Sequence, residues 1–177
     1  MRTIVERMLP QQFLLDLGTY MQTAAHIELA VWQTTMHAEG IDPHSVEEYR
    51  GYVSLKLKTQ ELISRFKNSA KNCPSTIAER ILILATEVES GLETRNLAAH
   101  GAFYFEDHVT GILGAAHYFA RGKGKERELF EVKQSITKQQ VDETLQIADQ
   151  LLHDVIALRK LVVDWRFPEG IPELQDT

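Results

Sequence analysis

Long stretches of this chain repeat their apolar residues every three or four positions, which is the period of one face of an α-helix. The clearest repeat lies between Pro10 and Gly40. Its apolar positions are Phe13, Leu17, Tyr20, Ala24, Ile27 and Val31. Pro10 suits the first turn of a helix, Gly40 suits its end, and Pro43 prevents further extension. The pattern therefore predicts one long amphipathic helix over this segment.

Two further segments predict helices of similar length. The second runs from about Ser45 to Asn68, and Ser45 and Glu48 have the spacing of a capping box. The third follows a turn and continues to about His100. Its stretch 81–85 is apolar on every side, so we expect it to be the most buried part of the fold.

The apolar period changes after Gly101, where aromatic and β-branched residues cluster in three short runs separated by glycine-containing turns. This arrangement predicts a small antiparallel hairpin or meander over about 102–133. A fourth helix begins near Thr137, with Gln140 at the matching capping position. The expected fold class is mainly α: an up-down four-helix bundle with the β segment inserted between its third and fourth helices. We expect one domain over 1–167 and an acidic flexible tail over 168–177.

Charge and cysteine content limit the classes of protein that fit. The 177 residues carry a formal net charge of −6, which argues against coating nucleic acid by bulk charge but leaves room for a small basic site. Cys73 is the single cysteine, so no disulfide can form within the chain. No apolar run approaches the ~20 residues of a membrane-spanning helix, and no signal peptide is indicated. We therefore expect a cytoplasmic protein that does not bind membranes.

The most informative motif lies at the end of the third predicted helix, where Arg95 falls on the apolar face and must reach a cleft, a carboxylate or another subunit. Asn96 and His100 are four residues apart and share a helical face, so the amide could orient the imidazole. Arg95 and His100 are five residues apart, about 140° around an ideal helix. Either the helix loosens before Gly101, or a symmetric second copy completes the site.

The run Arg95-Asn96-Leu97-Ala98-Ala99-His100 resembles the signature of the HEPN superfamily, in which an Arg and a following polar residue precede a His by a few positions. The resemblance covers the four predicted helices, and only Arg95, Asn96 and His100 carry over; the β segment lies outside the family's common core. It implies an all-α bundle that forms a homodimer with one shared cleft. It also implies a metal-independent endoribonuclease without cofactors, from a toxin–antitoxin or phage-defence system, with an antitoxin protein as a further partner.

These residue types fit that chemistry. Histidine exchanges protons near neutral pH, and arginine offers a permanently charged fork that matches phosphate oxygens. We hypothesise that His100 is the general base or acid, Arg95 the phosphate clamp and Asn96 a hydrogen-bonding residue. A four-helix bundle can hold a di-iron centre, but such a centre needs Glu-x-x-His pairs on two helices and the sequence has none, so no metal site is expected.

Two other interpretations stay open. The chain could be a non-catalytic bundle of the same kind that binds a nucleotide, RNA or a protein. It could also be a helical regulatory or structural protein in which the motif is accidental, with Arg95 paired to Glu89 or Glu93 and His100 at a helix end capped by a left-handed Gly101.

A basic segment follows the second predicted strand and is the most positively charged part of the chain. As an RNA-binding finger it would use Arg121, Lys123, Lys125 and Arg127, with Lys133 and Lys138 nearby. The alternative interpretation is a solvated turn that keeps a sheet edge soluble.

Overall fold

The computed structural model describes residues 3–42, 44–107, 109–121 and 128–169. The described residues are mainly helical and contain one small antiparallel sheet. In chain order, the elements are α1 (Ile4–Met8), α2 (Gln11–Ala38), α3 (Val46–Ser54), α4 (Thr59–Ser69), α5 (Ser75–Ser90), α6 (Leu92–His100), β1 (Ala102–Asp107), β2 (Ile112–Arg121), β3 (Glu128–Ile136) and α7 (Lys138–Arg166). None of the described helices is both long and apolar enough to cross a lipid bilayer.

The longest helices, α2 and α7, confirm two of the predictions. The end of α2 is a Schellman motif, in which the N–H of Gly40 donates to the carbonyl of His37 at 2.9 Å and that of Ile41 to Met36 at 3.2 Å. Gly40 has a φ of 79°, a conformation that glycine adopts without steric cost.

The start of α7 also agrees with the sequence. The hydroxyl of Thr137 accepts a hydrogen bond from the backbone N–H of Gln140 at 3.2 Å. The amide oxygen of Gln140 in turn accepts the N–H of Thr137 at 2.8 Å. This reciprocal pair is the predicted cap.

The second predicted helix is wrong in one respect, because two helices occupy its span. Half of the predicted capping box is confirmed, since the Ser45 hydroxyl accepts the N–H of Glu48 at 3.3 Å. The Glu48 carboxylate accepts the N–H of Asp42 at 3.0 Å instead of that of Ser45. The chain then leaves α3 and takes a left-handed conformation at Lys56, with a φ of 46°. The carboxylate of Glu61 accepts the N–H of Lys58 at 2.9 Å and thereby caps a new helix N-terminus at α4.

The third predicted helix is also divided, into α5 and α6, at Gly91. Glycine is among the weakest helix formers, and α6 starts immediately after it. The expectation that 81–85 is buried all round is wrong as well. Ile81 is fully buried, whereas Leu82 and Ile83 are 48% and 58% exposed, because α5 has one face in solvent.

The predicted β segment is a meander with the strand order β1-β2-β3. Ala102 pairs with Ala116, and the register shifts between Phe105 and Asp107. The long β2–β3 ladder continues from Leu113 to the end of β2. The existence of the meander is confirmed, and its register is set by the irregularity at the end of β1.

The chain divides into two compact units. The first unit consists of Met1–Thr23 and Leu92–Ala148, and the second consists of Ala24–Gly91 and Asp149–Thr177. In the first unit, Leu9, Phe13 and Leu113 form a buried cluster against which Phe103 and Val141 pack. The first unit contains the residues of the candidate motif. The predicted tail lies mostly outside the described residues.

The core of the second unit is built from fully buried side chains on four helices. They include Phe66, Ile81, Leu158, Val31, Val155 and Val162. At its edge, Arg65 donates from Nε and Nη2 to the two carboxylate oxygens of Glu39, each at 2.7 Å. The guanidinium also lies over the Tyr52 ring, 5.1 Å from its centroid. Burial, and then the Glu39 charge, raise the pKa of Tyr52 to about 12.

Candidate functional site

The motif residues all lie on α6, a nine-residue helix. Arg95 and Asn96 are half-buried, and His100 is exposed at the last position of the helix. The backbone N–H of Gly101 donates to the carbonyl of Leu97 at 2.7 Å, which is the bond of a regular α-helix. The helix therefore does not loosen before Gly101.

Gly101 has a different role from the left-handed cap considered above, because its φ is not positive. A Cβ at this position would clash with the carbonyl oxygen of Leu97. Glycine is required here by close approach to the backbone of the last helical turn, which lets the chain pass directly from α6 into β1.

Arg95 and Asn96 are joined by a hydrogen bond. Nη1 of Arg95 donates to Oδ1 of Asn96 at 3.3 Å. The amide oxygen thus orients the guanidinium of its neighbour, whereas the helical spacing predicts that Asn96 orients the imidazole of His100. Glu89, one of the alternative partners considered for Arg95, bonds to Nζ of Lys67 at 2.6 Å.

Tyr20 on α2 lies within the electrostatic reach of Arg95. Burial raises the pKa of the Tyr20 phenol, and the positive charge of Arg95 opposes that shift. Because its pKa is raised, the phenol stays protonated near neutral pH. The helical spacing of Tyr20 predicts only a place on the apolar face of α2 and contains no signal of this proximity.

His100 lies against a second imidazole, that of His117 on β2. The ring centroids are 6.0 Å apart and the ring planes are inclined by 27°. The strand register explains the contact, since Ala102 pairs with Ala116 and the next residues outward are Gly101 and His117. His117 is half-buried and was not identified from the sequence, because its partner depends on the register of the hairpin.

The structure therefore brings the site residues together in two groups, Arg95 with Asn96 and Tyr20, and His100 with His117. Five helical positions separate Arg95 from His100, so the two groups project from sides of α6 about 140° apart. The first group supplies a cation and hydrogen-bond donors. The second supplies two neighbouring imidazoles.

The predicted RNA-binding finger is described only in part. Lys123, Lys125 and Arg127 lie outside the described residues. Arg121 is the last residue of β2, where its backbone pairs with Glu128.

Farther along β3, the charge of Lys133 is balanced locally. Its Nζ lies 2.9 Å from a carboxylate oxygen of Glu131. That carboxylate also accepts a hydrogen bond from the Tyr118 hydroxyl. This bond, followed by the one to Lys133, lowers the pKa of Glu131. Lys133 therefore adds little net charge to a basic surface.

Comparison of the chain with family models, curated proteins and solved structures found no match. Within the part of the chain that the structure describes, there is no group of three or more His, Cys, Asp or Glu side chains placed to hold a metal ion.

Proposed function

We propose that this chain is a HEPN-like, metal-independent endoribonuclease that acts as a homodimer in the cytoplasm. The fold proposed with it is an up-down four-helix bundle carrying the β meander between its last two helices. The observation that supports the activity best is the second imidazole beside the motif histidine: His100 and His117 lie 6.0 Å apart by ring centroid. Cleavage of RNA without a metal needs both a proton acceptor and a proton donor, and this pair offers both.

In the proposed reaction, one imidazole takes the proton from the ribose 2′-hydroxyl. The 2′-oxygen then attacks phosphorus, and the bond from phosphorus to the 5′-oxygen breaks. The imidazolium of the other histidine donates a proton to the departing 5′-oxygen. The products are a 2′,3′-cyclic phosphate and a 5′-hydroxyl. Arg95, oriented by Asn96, stabilises the charge that accumulates on the phosphoryl oxygens.

The homodimer is supported by the geometry of α6. Because the helix is regular up to Gly101, Arg95 and His100 of one chain point to sides about 140° apart. A two-fold related copy can place its own arginine opposite the histidine pair of the first chain. We therefore assign the composite site to Arg95 of one protomer and the His100–His117 pair of the other.

The test of catalysis compares RNA cleavage by the purified wild-type protein and its variants in excess chelator. We expect cleavage by the wild type, and losses of at least about 100-fold for His100→Ala and His117→Ala, the usual contribution of a proton-transfer group. Arg95→Ala should lose a similar factor, the usual contribution of a group that stabilises charge in the transition state. His26→Ala is the matched control, since His26 is an exposed histidine on α2. Cleavage that persists in the first three variants would overturn the proposal.

Mixing two inactive variants tests the composite site. Arg95→Ala and His100→Ala chains that exchange at random give heterodimers in half of the population, and each heterodimer has one intact site of two. Activity should therefore return to about a quarter of the wild-type value. If one chain held the whole site, the mixture would stay inactive.

The same assay separates the other interpretations. A non-catalytic module would bind RNA or a nucleotide without cleaving it, and Arg95→Ala would weaken that binding. An accidental motif would show neither binding nor cleavage. A toxin would in addition stop growth when expressed, and the His100→Ala protein would not, which also provides an assay for an antitoxin partner.

A further inference from the structure

The first unit contains a cleft that the proposed ribonuclease chemistry does not use. Its volume is about 270 Å³, and it is lined by residues from α2, α6, the sheet and α7. Small-molecule sites typically begin at about 300 Å³. Because the cleft is slightly smaller than that, it has room for a ligand smaller than a typical drug, with one ring and a short side chain.

The wall of the cleft is mostly apolar. Phe13 and Phe103 meet edge to face there, with ring centroids 5.1 Å apart and planes inclined by 61°. Leu17, Leu97 and Leu145 extend the same surface. Such a wall favours a ligand with an apolar or aromatic body, because burial of that body removes apolar area from water.

Two carboxylates give the cleft its charge. Asp16 of α2 and Glu143 of α7 both line it, and no lysine or arginine is among the described residues of its lining. Each carboxylate accepts one amide hydrogen bond from its own helix: Gln12 donates to Oδ1 of Asp16 and Gln139 to Oε1 of Glu143, both at 2.8 Å. Each of these bonds involves one oxygen of its carboxylate, and the second oxygen of that carboxylate takes no part in it.

The remaining polar groups are neutral. Gln134, Gln140, Thr94 and Thr144 line the cleft, together with the phenol of Tyr20. These groups can complete the hydrogen bonds of a ligand without changing the charge balance. The lining therefore carries two negative charges among its described residues, against the single positive charge of Arg95, which does not line the cleft but acts on its Tyr20 phenol.

We propose that this cleft binds a small organic cation, namely a protonated amine carried on an aromatic or other apolar body. A neutral ligand of the same shape would cover the carboxylates without compensating their charge, and an anion would be repelled. An ammonium group offers up to three donors to carboxylate oxygens while its body covers the Phe13–Phe103 wall. This inference does not depend on the proposed ribonuclease activity.

The experiment is a calorimetric titration of the 177-residue chain with three probes of nearly equal shape: 2-phenylethylamine, 2-phenylethanol and 3-phenylpropionate. We expect the amine to bind about tenfold more tightly than the alcohol, the difference that one hydrogen bond to a charged group supplies. The propionate should bind more weakly than the alcohol.

Substitutions of the two carboxylates then test whether they bind the ammonium group. Asp16→Asn and Glu143→Gln should each weaken binding of the amine about fivefold to tenfold and leave binding of the alcohol unchanged. Asp142→Asn is the matched control, because Asp142 is the exposed neighbour of Glu143 on α7 but does not line the cleft. Since Glu143 is exposed, its substitution tests the proposal even if Asp16→Asn disturbs folding.

An amine that binds no more tightly than the alcohol would overturn the proposal. So would an equal loss in Asp142→Asn and Glu143→Gln, which would indicate a general effect of charge. RNA cleavage, measured in parallel, should be unaffected by Glu143→Gln, so the two proposals can fail separately.

Discussion

Alanine substitution at two glycines associated with the same helix should change stability in opposite directions. Gly40, just beyond the end of α2, has a φ of 79°, and a Cβ there would clash with the guanidinium of Arg166. Gly18 lies within α2, and a Cβ there would meet no atom within 4 Å. The chemical change is identical, so the local conformation alone determines the sign.

The magnitude for Gly40→Ala has two parts. A left-handed conformation costs an ordinary residue about 1–2 kcal/mol. Displacement of the Arg166 guanidinium, which lies 5.4 Å from the centroid of the Trp165 ring, removes a further contribution of about 0.5 kcal/mol. The free energy of unfolding should therefore fall by about 2 kcal/mol. Gly18→Ala should raise it by about 0.5–1 kcal/mol, because alanine loses less backbone entropy in a helix.

Urea unfolding followed by circular dichroism measures both effects, and a loss of about 2 kcal/mol lowers the midpoint by about 1 M urea at a typical denaturant slope. Arg166→Ala completes a double-mutant cycle. In that background Gly40→Ala should keep the conformational cost of about 1–2 kcal/mol and lose only the part due to the clash. A Gly40→Ala protein as stable as the wild type would refute the argument, as would a loss that vanishes entirely with Arg166→Ala.

Two further predictions concern buried residues of the second unit. Burial, followed by the nearby charge of Arg159, lowers the pKa of His37 below its ordinary 6.5. The unfolded chain therefore takes up a proton at His37 before the folded chain does. The free energy of unfolding is unaffected by this group above pH 6.5 and falls as the pH drops from there towards the folded-state pKa. Urea unfolding of wild type and His37→Leu at about pH 8 and about pH 5 should show the wild type losing stability relative to the variant on acidification, and an equal difference at both pH values would contradict this assignment. Ile81→Ala should cost about 3 kcal/mol because the side chain is fully buried, and Ile83→Ala should cost less than about 1 kcal/mol because its side chain is 58% exposed. Similar losses in thermal or urea unfolding for the two isoleucines would show that the burial of α5 is assigned wrongly.

The elements that could be predicted from sequence are those whose signals are local. The helix between Pro10 and Gly40 carries its period, its start and its stop within its own residues, and so does the helix that Thr137 caps. The break at Lys56 was missed because the apolar period continues across it, while the new helix start depends on the Glu61 carboxylate reaching back to the chain.

The residues of the candidate site follow the same rule: those that are close together in sequence could be predicted, and those that the fold brings together could not. Arg95, Asn96 and His100 could be found because they are close together in sequence. His117 could not, because its position beside His100 depends on which residues of β1 and β2 pair, and the register shift between Phe105 and Asp107 sets that pairing. The proximity of Tyr20 to Arg95 likewise depends on tertiary packing.

The pairing of β1 with β2 has a consequence for how this chain can vary. Surface hairpins usually tolerate an added or deleted residue. Here, if the turn kept its own length, a change of one residue in the β1–β2 connection would place Ala116 or Tyr118 opposite Gly101 in place of His117. The length of that connection is thus as much a part of the histidine pair as the two side chains. Because the same slip would turn Leu113 away from the buried cluster of Leu9 and Phe13, a length change that shifts the register should cost stability as well as the histidine pair.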